Sequence, residues 1–264
     1  KVMMRSDPEN IKIPFYTCIS LEQAFIHTRG TSEIYIHAKT PEGKKKMDVM
    51  SEVGVHYWMY AKDILERHKA FMDYWLKGES NDIMEKDPVH MMIRTGNGSY
   101  YWRDEKEWPV LGTEYRKFYL HGDGNGDGMQ KLQEQAMEEG KISYPADQDR
   151  EILFVTEPLE EDLVLAGYPM ADLFVSSTGT DMKVLTYLYA LDEENDKIPF
   201  VMDLNPMTPL SKGGLKVSHR KLDEERSTIY RPYHTHLQKD YQPLKPGEIV
   251  QAQVEMVPMT AKIK

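Results

Sequence analysis

The run with the clearest ligand chemistry is Asp123-Gly124-Asn125-Gly126-Asp127-Gly128 followed by Glu134, which fits D-x-[DN]-x-[DN]-G-x5-E. Alternate carboxylates and a distant glutamate can wrap a hard cation in oxygen. An EF-hand needs a helix before this loop, and Lys117 to His121 is patterned as a strand; Gln130 and Lys131 also stand where an apolar residue and a ligand are usual. The competing reading is a glycine-rich turn leading into a short helix over Met129 to Glu139. A second cluster, His219-Arg220-Lys221 with Arg231-Pro232-Tyr233-His234-Thr235-His236, gathers bases. Histidines at i and i+2 on a strand point the same way, but the pattern offers no third zinc ligand. The single cysteine, Cys18, excludes an internal disulfide and a multi-cysteine zinc site. Embedded in the apolar run Phe15 to Ile19, it reads as a small buried side chain rather than a nucleophile. No G-x-S-x-G occurs, so a sharp turn presenting a nucleophilic serine lies upstream of Lys1 or is absent.

The elements that must position these residues fall into two groups. Ile11 to Ile19 is nearly continuously apolar, as a strand buried on both faces requires, and Pro14 delays its entry into the sheet. A helix carrying Ile34, Ile36 and Ala38 follows, with Thr31 or Ser32 as N-cap and Pro41 and Gly43 ending it. Lys46 to Met50 supplies a second strand. Tyr60 to Lys77 then places Ala61, Ile64, Leu65, His68, Phe71, Met72, Trp75 and Leu76 on one helical face, with Gly78 at the stop. His37 and His68 lie in helical patterns and read as structural. Strand, helix, strand, helix is a parallel α/β unit, whose working residues gather on the loops leaving the strands, here Ser20 to Thr28 and Ser51 to Tyr60.

From Asp87 the pattern turns to β. Val89 to Thr95, Gly96-Asn97-Gly98 and Tyr100 to Trp102 predict a hairpin, and Trp102, Trp108 and Pro109 an apolar joint between domains. Within Glu157 to Leu191, three strand-patterned runs follow one another with no room for a helix. Val184 to Leu191 is apolar on both faces. Glu151 to Thr156, Gly213 to His219 and Gly247 to Val257 add further strands, the last alternating Val250, Ala252, Val254 and Met256 against Gln251, Gln253 and Glu255. Leu191 to Lys212 reads as a surface loop with one short strand at Ile198 to Met202.

Composition bounds the function. At 264 residues with 40% hydrophobic and 29% charged content, the chain has the make-up of a globular protein. A formal charge of −10, with no basic run denser than Lys44-Lys45-Lys46, argues against nucleic acid. No apolar run approaches bilayer length and KVMMRSDPEN lacks a signal-peptide core, so the expectation is no membrane association and a cytoplasmic location.

The residues EPLEEDLVLAGYP, LFVSS, TDMKVLTYLYAL and GGLKVSHRKLDEERSTIYRPYHTH resemble the C-terminal part of the CocE/NonD hydrolases, the family of cocaine esterase and X-Pro dipeptidyl-peptidases. That resemblance implies α/β plus all-β architecture: residues 1–108 as the C-terminal part of an α/β-hydrolase domain and 109–264 as a truncated jelly-roll β-sandwich, galactose-binding-like. It implies a fragment of a serine hydrolase cleaving acyl ester or amide bonds, X-Pro dipeptidyl-peptide bonds included, through an acyl-enzyme. The fragment alone is expected to be inactive. The family's catalytic aspartate follows the first strand; here that loop reads SLEQAFIHTRG, and Glu22 is its only carboxylate, either the acid or a solvated surface residue. The family's histidine follows the second strand, where His56 is the candidate base; the register also admits Ser51 at that position, and His27 is a rival. For His219 to His236 the resemblance implies packing along the joint between sandwich and hydrolase. A small ester, amide or peptide substrate is implied, with no cofactor and no metal; the sequence leaves both a monomer and a homo-oligomer open. A non-catalytic β-sandwich binding module is the alternative, because folds of this shape host many such roles.

Overall fold

Strand β1 (Phe15–Ser20) begins immediately after Pro14, which cannot donate to a ladder. The computed structural model describes residues 7–21, 27–41, 43–51, 60–136, 138–145, 151–202 and 205–264. They divide into two compact units, one of Lys1–Thr113 with Val164–Ile263, the other spanning Glu114–Leu163.

In the larger unit, helix α1 (Arg29–His37) follows β1, strand β2 (Lys45–Met50) follows α1, and helix α2 (Lys62–Met72) runs on into a π-wound turn, Asp73–Lys77. Gly78, at φ 71°, stops the helix as its position predicts. Strands β3 (Val89–Gly96) and β4 (Ser99–Glu105) complete a sheet of order β1-β2-β3-β4. The first three strands are parallel and β4 is antiparallel. The hairpin forms where expected, because Asn97 (φ 52°) and Gly98 (φ 77°) supply the left-handed pair that a two-residue turn needs.

Both faces of this sheet are covered, which is why its strands read as apolar runs. On one face Ile19, Met47, Val49, Val89, Met91 and Ile93 pack around Tyr35 of α1. On the other, Met50 and Met92 pack on Ile64 of α2, with Cys18 and Trp102 beside them. Trp102 therefore lies away from Trp108, which packs in the first cluster and donates its indole N–H to the Tyr168 hydroxyl at 3.2 Å.

Two helix expectations need correction. α1 starts at Arg29, ahead of Thr31 and Ser32, and Thr28 precedes it without capping, because its hydroxyl donates to the Ser20 carbonyl at 2.6 Å. On α2 the inward stripe is narrower than predicted: Ile64 and Phe71 are buried, while Leu65, Met72 and Leu76 are exposed one step around the helix.

The smaller unit holds β5 (Tyr119–His121), β6 (Met129–Gln133) and β7 (Leu153–Val155) in the order β5-β6-β7. The helix expected over Met129 to Glu139 is instead strand β6. Met-Gln-Lys-Leu-Gln favours a helix locally, but pairing with β5 on one side and β7 on the other outweighs that preference.

Eight strands follow: β8 (Leu163–Gly167), β9 (Met170–Val175), β10 (Lys183–Leu188), β11 (Phe200–Met202), β12 (Asn205–Thr208), β13 (Ser211–Lys216), β14 (Val250–Glu255) and β15 (Met259–Ile263). Their pairing is nested: β11 with β12, β10 with β13, β9 with β14, β8 with β15. The alternation predicted for β14 holds, with Ala252 and Val254 fully buried beside Leu215, Val217 and Leu244. Each buried valine or leucine here stabilises the fold by about 1.5–3 kcal/mol, and Ala252 by less. β10 differs from its expectation: Val184 and Leu188 face inward, while Leu185 and Tyr187 are exposed, so only one face is covered.

Gly213 of β13 stands close against β14, since a Cβ there would lie 2.4 Å from the Glu255 carbonyl oxygen. That neighbour is backbone and cannot swing aside. Gly213→Ala is expected to lower the unfolding free energy by about 1–3 kcal/mol, read from urea denaturation; an unchanged midpoint would show that the two strands separate freely.

Candidate functional site

β1 and β2 end together, Ser20 opposite Met50, and the Leu21 N–H donates to the Met50 carbonyl at 2.8 Å. The loops leaving these adjacent ends carry Glu22 and His56, and both residues lie outside the described residues. What surrounds the loops is firmly held. Thr28, Ser32 and Ser51 are buried, and the Thr28 hydroxyl bonds the Ser20 carbonyl across the mouth of the first loop. His27 is exposed just before α1, and His37 pairs with Glu33 one turn away at 3.2 Å. Ser51 ends β2 almost fully buried.

Directly beneath this edge sits a polar cluster that the helical pattern alone does not reveal. Cys18 and Asp48 are partners in the β1–β2 register, and His68 of α2 lies over them. His68 Nε2 is 3.0 Å from Asp48 Oδ2 and 3.5 Å from Cys18 Sγ. The Tyr16 hydroxyl donates to Asp48 Oδ1 at 2.7 Å, and the Arg67 guanidinium lies 3.5 Å from the same oxygen. Asp48 is fully buried, so these partners replace the water it has lost. Burial, and then the neighbouring Asp48, push the Cys18 thiol up to about 12. It is no ready nucleophile, in line with the sequence reading. Nor is this a triad: a relay needs one imidazole nitrogen for the nucleophile and the other for the acid, whereas here the same Nε2 faces both groups. A signal for the cluster does exist in the sequence, since an aspartate between Met47 and Val49 in a doubly buried strand demands a partner.

The basic segment behaves differently. Arg231 reaches from its loop to Glu33 of α1 and, at 2.7 Å, to Glu255 of β14, which also pairs with Arg29 at 3.1 Å. The side chains of Arg231 and Glu255 are each only 10% exposed. Beside them the rings of His219, His236 and His234 follow one another at 5.7 and 5.6 Å. Desolvation, with smaller contributions from His236 and Arg29, pushes the His234 imidazole down to about 4, so it is neutral near pH 7. In the smaller unit the Glu134 carboxylate, the distant ligand of the calcium-loop pattern, is bonded to Arg116, and Asp127 accepts from the Asn125 amide.

Arg231→Met is expected to destabilise the fold by about 3 kcal/mol in chemical denaturation, because Glu33 and Glu255 lose their shared cation. Acid acts on His234 in a definite direction. The unfolded imidazole protonates near 6.5 and the folded one near 4, so stability present above pH 6.5 is lost as pH falls through about 4. His234→Phe is expected to flatten the dependence of the urea midpoint on pH in that window; an unchanged slope would assign the loss to other groups.

The geometry finds counterparts in known proteins. The family model for the X-Pro dipeptidyl-peptidase C-terminal non-catalytic domain matches residues 81–264. A crystal structure of a CocE/NonD family hydrolase from Staphylococcus aureus superposes with a TM-score of 0.88 at 26% identity, covering 97% of this chain and 45% of that one. Cocaine esterase of Rhodococcus sp. (strain MB1 Bresler) is 30% identical over 147 residues, 43% of this chain and 25% of the esterase. The Mycobacterium bovis protein named "Putative serine esterase Mb1866c" is 25% identical over 216 residues, 71% of this chain and 32% of that protein. The chain thus spans about a third or less of the two curated relatives and under half of the solved hydrolase. With most of its length matched and its fold shared with a CocE/NonD hydrolase, the chain belongs to the family of X-Pro dipeptidyl-peptidase C-terminal non-catalytic domains.

Proposed function

We propose that this chain is the C-terminal part of a serine hydrolase of the CocE/NonD type. In this reading residues 1–108 close an α/β-hydrolase domain and residues 109–264 form a jelly roll against which the substrate pocket is shaped. The nested pairing of β8 through β15 supports the jelly roll, because two interlocked Greek keys pair strands from the centre outward in that order. In this reading the nucleophilic serine lies upstream of Lys1, since the chain itself carries no G-x-S-x-G.

The observation that carries the proposal is the side-by-side ending of parallel β1 and β2 between α1 and α2. In open α/β sheets chemistry collects on loops leaving such ends. Glu22 sits in the first loop and His56 in the second. His56 takes the seryl proton as the nucleophile attacks an ester or amide carbonyl, then returns it to the leaving group. Glu22 accepts a hydrogen bond from the imidazole, fixing its tautomer and stabilising the imidazolium. An acyl-enzyme forms and water releases it.

The test uses the full-length gene product. A fluorophosphonate is expected to label one upstream serine, with labelling slowed by about 10^3–10^4-fold in His56→Ala and Glu22→Gln. The 264-residue chain alone is expected to turn over no p-nitrophenyl ester. Labelling at wild-type rate in both variants would remove Glu22 and His56 from the mechanism, and turnover by the isolated chain would contradict an upstream nucleophile.

A further inference from the structure

The Cys18, Asp48 and His68 cluster is not used by the proposed hydrolysis, and its geometry goes beyond what a buried ion pair needs. The thiol sulfur, a carboxylate oxygen and an imidazole nitrogen lie within 4.8 Å of one another. They come from β1, β2 and α2, three elements held in place by the packing of the sheet. A tetrahedral zinc ion, bonded at about 2.3 Å to sulfur and about 2.0–2.1 Å to nitrogen or oxygen, holds its sulfur and nitrogen ligands about 3.6 Å apart and its nitrogen and oxygen ligands about 3.3 Å apart. The corresponding separations are 3.5 Å and 3.0 Å. A single nitrogen facing both other groups, which rules out a relay, is what convergence on one ion requires.

The geometry points to a divalent transition-metal site of the zinc class, with Cys18 Sγ, Asp48 Oδ2 and His68 Nε2 as protein ligands and a fourth position left for water. Thiolate, imidazole and carboxylate together suit such an ion better than calcium or magnesium, which take oxygen alone. The carboxylate is already oriented for an ion, since the Tyr16 hydroxyl holds Oδ1 and turns Oδ2 towards His68. Arg67 also lies on the Oδ1 side, against Tyr16 and Asp48, and leaves Oδ2 to face His68. The His68 side chain is 26% exposed, which gives the ion a way in while Asp48 stays dry. On binding, Cys18 releases its thiol proton to solvent and a sulfur–metal bond replaces the S–H bond. The ion then ties β1, β2 and α2 together two residues short of the strand ends at Ser20 and Met50.

Cobalt(II) titration of the 264-residue chain tests this, because a cobalt–thiolate bond adds a near-ultraviolet charge-transfer band and the chain has one cysteine to supply it. The expected result is a one-to-one complex showing that band, displaced by zinc, absent in Cys18→Ser and weakened at least about tenfold in affinity in His68→Gln. Circular dichroism of both variants checks that the fold is kept. No thiolate band with the folded wild-type chain would overturn the site. So would a band of unchanged affinity in His68→Gln, which would mean that Cys18 binds metal without the cluster. Cobalt absorption lacking the thiolate band and indifferent to Cys18→Ser would place the ion away from Cys18 and would equally overturn it.

Discussion

Arg231 is the constraint on which the larger unit turns. Its guanidinium is nearly buried between Glu33, on the helix that covers one face of the parallel sheet, and Glu255 at the end of β14. Charges largely removed from water favour one geometry, since a shift of Arg231 weakens its bonds to both carboxylates and leaves them with Arg29 and His37 as ion-pair partners. Apolar surfaces can slide with little change in area. A cation bridging two carboxylates cannot, so Arg231 fixes where α1 stands against β14 and thereby where the first loop ends. Trp108, donating to the Tyr168 hydroxyl within the same apolar cluster, adds a second directional contact.

Most elements were legible because their patterns are strong and local. The alternation of Val250, Ala252 and Val254 against glutamines announces a strand with one wet face, and Asn97-Gly98 between apolar runs announces a hairpin. Partners are another matter. Nothing in the residues of β9 says that it pairs with β14, because register between distant segments is decided by packing and loop closure rather than by either sequence. Met129 to Gln133 shows the converse, a helix-favouring stretch taken into a sheet by neighbours on both sides.

The candidate sites divide along the same line. Glu22 and His56 are placed by resemblance and by loop position, signals that carry topology but not side-chain geometry. Cys18, Asp48 and His68 are far apart in the chain, and only the register of two strands with a helix laid across them brings their donor atoms together. Asp48 was the one visible clue, a charge in a run otherwise fit for burial. His234 is similar: the proximity of His236 is plain in the sequence, but the burial that keeps it neutral belongs to the fold.

The nested pairing of the last eight strands also carries a kinetic consequence. Only β11 and β12 can find each other locally; every further pair encloses the one before it, and β8 meets β15 across all of them. The entropy of closing each loop grows as the enclosed segment lengthens, so loop closure by itself favours the innermost hairpin over the outermost ladder. Arg94 of the parallel sheet donates to the Thr260 carbonyl of that final strand at 3.0 Å, and the Thr260 hydroxyl donates to the Met92 carbonyl in return. These two bonds to the parallel sheet therefore depend on the outermost ladder, whereas the Arg231 bridge from Glu33 to Glu255 depends on β14 and needs no part of β15.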